Sequence, residues 1–176
     1  FTAYDELPAT EFAAAKQRMN NLLSSNRAGD KFTFSAAEVN HLAKFTVEMT
    51  REALETRAEA MVDHEMATDG ISVPYDLSVN LLGDDRVRLV LFSKLYDKVP
   101  IYTVLEGTAS GSADGGLWFV PEKYYAGRLP VYGQIFQDAV LQRFTALIDK
   151  NEKFNNNIRP RISGVAISTT EAVLSR

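Results

Sequence analysis

Residues 71–82 read ISVPYDLSVNLL, and their alternation decides the fold. Ile71, Val73, Tyr75, Leu77, Val79 and Leu81 fall on one side of an extended chain, and Ser72, Pro74, Asp76, Ser78 and Asn80 on the other. Successive side chains of a strand point to opposite faces, so this period of two predicts a long strand with one buried face. Gly83-Asp84-Asp85 is a turn. A second strand follows over Arg86–Leu95. Val87, Leu89 and Leu91 lie on one face; Val90 and Phe92 lie on the other, beside Arg86, Arg88 and Lys94. After Tyr96-Asp97-Lys98, a third strand runs from Val99 to Gly107, with Ile101, Thr103 and Leu105 inward and Tyr102 and Val104 outward. Thr108–Gly116 is rich in glycine but has neither GxGxxG nor a Walker pattern, so it reads as a hairpin tip and not as a phosphate cradle. Leu117–Val120 is a fourth strand, which Pro121 ends or places on an edge.

Upstream, Phe12, Ala15, Met19, Leu22 and Leu23 recur at helical spacing and predict a helix over 8–24. Lys31–Phe34 is a short extended piece. Ser35-Ala36-Ala37-Glu38 is a capping box, flanked by Phe34 and Val39 at the two staple positions. The helix it opens meets no Pro or Gly until Gly70. At 25 to 28 residues it would be about 40 Å long, close to the length of a strand over 71–82, about 38 Å. Downstream, Pro130 suits a helix start, and Tyr132, Ile135, Phe136, Val140 and Phe144 make a broad apolar stripe as far as Lys150. Pro160–Ser168 reads as a last strand with a bulge at Gly164; Thr169–Arg176 has no clear period. The order predicts an α+β domain: an antiparallel meander of four to five long strands packed on a long helix, with an N-terminal helix and a second amphipathic helix near the C-terminus. The whole chain, 1–176, is expected to be one domain, with 31–168 its core and 8–24 a helix or a stalk.

Composition narrows the chemistry. A net charge of −4 and a pI near 5.2 argue against general binding to a phosphate backbone, so no nucleic-acid partner is expected. The absence of cysteine removes disulfides, thiolate metal sites and a cysteine nucleophile. The only histidines, His41 and His64, are 23 residues apart on or near one helix, without HExxH, which gives no zinc pattern. Asp84 with Asp85, and Asp63 with Glu65, are explained by a turn and a helix end. No GxSxG elbow is present. The expected catalytic residues, metal ligands and cofactors are therefore none. Aromatic residues are dense between 96 and 136. Two readings stand: core and edge cover, or an apolar groove between the sheet and the helix near the C-terminus. On the second reading the groove is lined by Val90, Phe92, Tyr102, Val104 and Trp118 from the sheet, and by Tyr132 and Phe136 from the helix.

Phe34-Ser35-Ala36-Ala37-Glu38-Val39-Asn40-His41-Leu42, then Val99-Pro100-Ile101-Tyr102, then Gly127-Arg128-Leu129-Pro130 opening a helix, form a string of features over about residues 31–148. This string resembles uncharacterised bacterial membrane-anchored or lipoprotein domains, which are similar to the tubular lipid-binding class. The resemblance implies an extracytoplasmic location (periplasm or cell envelope), an N-terminal anchor ahead of Phe1 as the only link to a membrane, and binding of a lipid or other apolar small molecule. A cytoplasmic location stays open. The helix over 8–24 departs from the pattern. Three functions are carried forward: a non-enzymatic domain binding an apolar ligand between sheet and helix, a protein-interaction or scaffold module of a cell-envelope assembly, and a hydrolase using His41 or His64 with carboxylates.

Overall fold

A computed structural model of the chain describes residues 7–61, 72–95, 99–112, 116–149 and 154–176. The architecture is α+β. Helix α1 (Ala9–Ser24) is followed by strand β1 (Lys31–Ser35) and the long helix α2 (Ala36–Met61). Then come β2 (Ser72–Gly83), β3 (Arg86–Leu95), β4 (Val99–Ser112), β5 (Gly116–Ala126) and the two-residue β6 (Leu129–Pro130). These five form one antiparallel sheet in meander order, β2-β3-β4-β5-β6. Helix α3 (Gln134–Asp149), two short helical turns between Phe154 and Arg161, β7 (Gly164–Ile167) and β8 (Glu171–Ser175) complete the chain. A second, three-stranded sheet has the order β1-β8-β7.

The start of α2 is fixed locally. The Glu38 amide donates to the Ser35 hydroxyl (3.3 Å), and the Ser35 amide donates to the Glu38 carboxylate (2.9 Å), the reciprocal pair of a capping box. Phe34, 1% exposed, sits at the staple position before it. Ser35→Ala is expected to lower stability by about 1 kcal/mol, read as a shift of the urea midpoint at constant m-value.

The face of α2 that meets the sheet carries Ala36, Val39, Asn40, Ala43 and Val47, the i, i+3, i+4 spacing of one helix face. Four of these are small or branched and apolar. Asn40 is neither, yet it is 2% exposed. Its amide nitrogen donates to the carbonyls of Ala36 (2.9 Å) and Val79 (2.5 Å), and its oxygen accepts from the Val79 amide (2.7 Å) and the Ser78 hydroxyl (3.2 Å). Every donor and acceptor of the carboxamide is used. β2 is an edge strand. An edge leaves alternate N–H and C=O groups unpaired, and Asn40 takes one such pair, standing in for a sixth strand at Val79.

The five-stranded sheet has two unlike faces. Leu77, Leu89, Leu91 and Leu105 on the inner face join Val47 of α2 and Val140 and Phe144 of α3 in one core. Val79, Leu81, Val87 and Ala109, also on the inner face, join Ala36, Val39 and Ala43 of α2 with Ile167 and Ala172 of the small sheet in a second core. Helix α2, helix α3 and the small sheet therefore all lie on one side. The small sheet comes very close: a Cβ added to Gly111 of β4 would lie 2.6 Å from the amide nitrogen of Gly164 in β7. Glycine at both positions lets the two backbones meet.

Several boundaries differ from those the sequence predicts. β4 and β5 form a longer hairpin, because Thr108–Ser112 and Pro121–Ala126 continue the ladder. Pro121 lies within β5, opposite Gly107 at a register shift, the kind of irregular position at which a strand accommodates proline. Pro130 belongs to β6, and α3 begins at Gln134. Residues 171–175, without a period in the sequence, form the central strand of the small sheet. Gly164 begins β7 instead of forming a bulge. The stalk considered for residues 8–24 is a packed helix: Ala15 and Leu22 of α1 are fully buried. The Arg176 guanidinium donates to the carbonyls of Leu22 and Leu23 (3.2 Å each), and Arg161 also donates to Leu23. These cations satisfy carbonyls that the end of a helix leaves without partners. No helix among the described residues is long and apolar enough to cross a membrane.

Candidate functional site

Neither core contains a residue from the outer face of the five-stranded sheet. Cross-strand register orders that face in rows. The first is Asp76, Phe92, Tyr102. The second is Ser78, Val90, Val104, Tyr125, and the third is Asn80, Arg88, Glu106, Lys123. Toward the β4–β5 tip, Val120 pairs with Thr108 and Trp118 with Ser110.

In the first row, Phe92 and Tyr102 have ring centroids 5.0 Å apart, and Tyr75 adds a third ring 6.1 Å from Phe92. The alternation over 71–82 places Tyr75 with Leu77, on the inner face. The structure places it with Phe92, on the outer one. The cause is a register shift between Pro74 and Asp76, which makes Tyr75 an extra residue in the ladder. Pro74 supplies no N–H at that point. The Lys94 ammonium lies 4.3 Å from the centre of the Tyr75 ring.

In the second row Val90 is 6% and Val104 8% exposed, although neither belongs to the two cores; Ser78 and Tyr125 at its ends are half-buried. In the third row Glu106 is 5% exposed. It accepts from Arg88 (Nε 2.7 Å) and lies 3.6 Å from the Lys123 ammonium and 4.0 Å from Arg86. Arg86 also approaches Glu122 (3.8 Å), which accepts from the Thr108 hydroxyl (2.7 Å). Three cations thus meet two carboxylates. Trp118 stacks under the Arg159 guanidinium, 4.3 Å from the ring centre. The Arg159 Nε–H donates to the Leu117 carbonyl (3.2 Å).

A shallow open cleft of about 380 Å³ lies where this face meets α2, lined by Lys44, Glu48, Tyr75, Asp76 and Phe92. Of the residues the sequence singles out, Val90, Phe92, Tyr102, Val104 and Trp118 share the outer face. Tyr132 and Phe136 do not join them. They stand at the start of α3, which packs on the inner face through Val140 and Phe144. Val140 and Phe144 pack on Leu91 and Leu105 between the sheet and α3, so the seven residues do not share one surface.

His41 stacks on Phe12 of α1, with ring centroids 4.1 Å apart. Asp84 and Asp85 form the β2–β3 turn with φ of 53° and 59°. Asp85 also accepts from the Ile167 amide (2.8 Å), tying the turn to the small sheet. His64, Asp63 and Glu65 lie outside the described residues. Among the described residues no three His, Asp or Glu side chains converge as a metal site would require. Comparison of the chain with protein-family models, with curated proteins and with solved structures gives no match.

Sequence reasoning missed Glu48, Asp76, Lys44 and Glu106 as members of this surface. Glu106 carried a signal: a carboxylate at the outward position between Val104 and Thr108, opposite Arg88 once the β3–β4 register is set.

Proposed function

We propose that this chain is a non-enzymatic interaction domain that meets a protein partner with the outer face of its five-stranded sheet. The observation that carries the reading is the one-sided core. Both hydrophobic clusters use the inner face, while the outer face keeps Phe92, Tyr102, Val104 and Trp118 outside them. A partner that covers Tyr102 and Trp118, 40% and 48% exposed, would bury aromatic anchors of the kind that dominate protein interfaces. The excess cation around Glu106 favours a partner bearing carboxylates at its rim. Placement of the domain in a cell-envelope assembly, outside the cytoplasm, rests on the resemblance of residues 31–148 to membrane-anchored domains.

The test is photo-crosslinking in cells from positions 102 and 118, with position 17 on α1 as control. One discrete protein adduct from both sheet positions and none from position 17 is expected. Equal labelling from all three positions, or none, sinks the reading. A second reading, binding of a small amphipathic molecule, rests on the shallow cleft in which Tyr75 and Phe92 stand beside Lys44, Glu48 and Asp76. Mass spectrometry of solvent extracts of the purified protein separates the two: a stoichiometric lipid or other amphipathic molecule, released by Phe92→Ala, would replace the protein partner with a ligand.

A further inference from the structure

The two ends of the outer sheet face differ in charge. Where the face meets α2, Lys44 and Lys94 stand with Glu48 and Asp76, and the charges balance. Toward the β4–β5 tip, Arg86, Arg88, Lys123 and Arg159 stand with Glu106 and Glu122 only, so cations are in excess there among the described residues. The chain as a whole is at −4. At physiological salt the screening length is about 8 Å, so a partner meets this local excess and not the total.

Strand register arranges the excess around an apolar centre. Arg86, Thr108 and Val120 form one row across β3, β4 and β5, and Ser110 and Trp118 form the next. Successive rows on one face are about 7 Å apart, within one screening length. Val120 is 57% and Trp118 48% exposed. On one side of them, Arg86 is shared between Glu106 and Glu122. On the other, Arg159 lies over the Trp118 ring and spends its Nε–H on the Leu117 carbonyl. Among the described residues no carboxylate pairs with Arg159, so its two terminal nitrogens can take one from outside. A guanidinium already stacked on an indole loses little freedom when it does so.

We propose that this end of the face docks a segment of a partner protein in which carboxylates flank an apolar side chain. The apolar group covers Val120 and Trp118, and a carboxylate pairs with the Arg159 guanidinium. The proposal rests on the outer face being the docking surface, and it names the chemistry of what docks there. Single-stranded nucleic acid is also anionic, but it binds through successive rings on which bases stack. Here Arg159 covers one face of Trp118, and the exposed neighbour of Trp118 is the aliphatic Val120. The surface therefore suits a protein segment better than a row of bases.

The test is photo-crosslinking in cells from position 120, with charge variants in the same chain. A protein adduct is expected whose attached peptide is rich in Asp and Glu. Arg159→Glu should lower its yield at least about fivefold. Arg159→Lys keeps the charge and should retain the adduct, as should Arg27→Glu, which makes the same change in net charge in the exposed α1–β1 loop. Because Arg159→Glu also removes the bond to Leu117, the unmodified surface supplies a second readout: in lysate the yield should fall between about 50 and about 500 mM salt, as screening shortens. An adduct indifferent to Arg159→Glu, a yield independent of salt, or an attached peptide that is neutral or basic each overturns the proposal and leaves the docking face standing. An adduct destroyed by nuclease overturns it in favour of nucleic acid. Absence of any adduct from positions 102, 118 and 120 removes the docking face itself, and the proposal with it.

Discussion

Asn40→Ala is expected to lower the free energy of unfolding by about 3 kcal/mol. The reason is what it leaves behind. Alanine removes the two bonds to the backbone C=O and N–H of Val79, at 2.5 and 2.7 Å, while α2 still covers the strand edge and keeps water out. A buried N–H and a buried C=O are then without partners, and each such group costs about 1–3 kcal/mol. For a chain of this length the corresponding fall in melting temperature is about 6–12 °C. Asn40→Asp separates this account from simple loss of packing. Aspartate has nearly the same shape and still accepts from the Val79 amide, but at neutral pH it presents an anionic oxygen to the Val79 and Ala36 carbonyls. If Asn40→Asp is as stable as the wild type at pH 7, or if alanine costs less than about 1 kcal/mol, the edge-pairing role is wrong. Circular dichroism with urea titration of the three proteins suffices.

Gly107→Ala is expected to be comparably damaging, by about 3 kcal/mol. A methyl group at Gly107 would lie 2.1 Å from the Val120 carbonyl oxygen and 2.8 Å from the Pro121 Cα. Both are backbone atoms, so no rotamer change relieves the overlap. The close approach arises because β5 shifts register here, bringing Pro121 opposite Gly107. Strand propensity and the reduced entropy of the unfolded chain both favour alanine over glycine, the latter by about 0.4–1 kcal/mol. The sign of the change is therefore diagnostic. A Gly107→Ala protein with an equal or higher melting temperature would show that β4 and β5 are not this close.

Much of this architecture is legible in the chain. The capping box placed the start of α2 to the residue, because it is a contact among four consecutive residues and needs no tertiary partner. Strand β3 is found from Arg86 to Leu95 as its alternation indicates. What alternation could not carry was any position where the ladder departs from strict pairing. Tyr75 reads as inward by parity, yet one extra residue at Pro74–Asp76 reverses it. The Thr108–Ser112 segment reads as loop from its Gly and Ser content. It is strand because Gly111 must meet Gly164 and Ala109 must lie beneath the small sheet. The C-terminal strand β8 is short and without a marked period, and it exists because β1 and β7 pair on either side of it.

The surface was partly legible for the same reason. Val90, Phe92, Tyr102, Val104 and Trp118 share a face by parity alone. Tyr132 and Phe136 could be given to a helix, but not to a side of the sheet, since nothing local fixes where α3 crosses. That is decided by Val140 and Phe144 finding Leu105 and Leu91. Asn40 shows the same division in one residue. A polar side chain within the apolar stripe of α2 is visible in the sequence, and its meaning is not, because its partners are the backbone atoms of a strand thirty-nine positions away. The sequence by itself determined the elements that rest on contacts between near neighbours: α1, the start of α2, and the alternating runs of the meander. Only the tertiary structure decided the sidedness of the sheet, since burial of a face depends on which distant elements reach it first and fill it. Those elements all chose the inner face, and the apolar residues left outside it are where binding is to be sought.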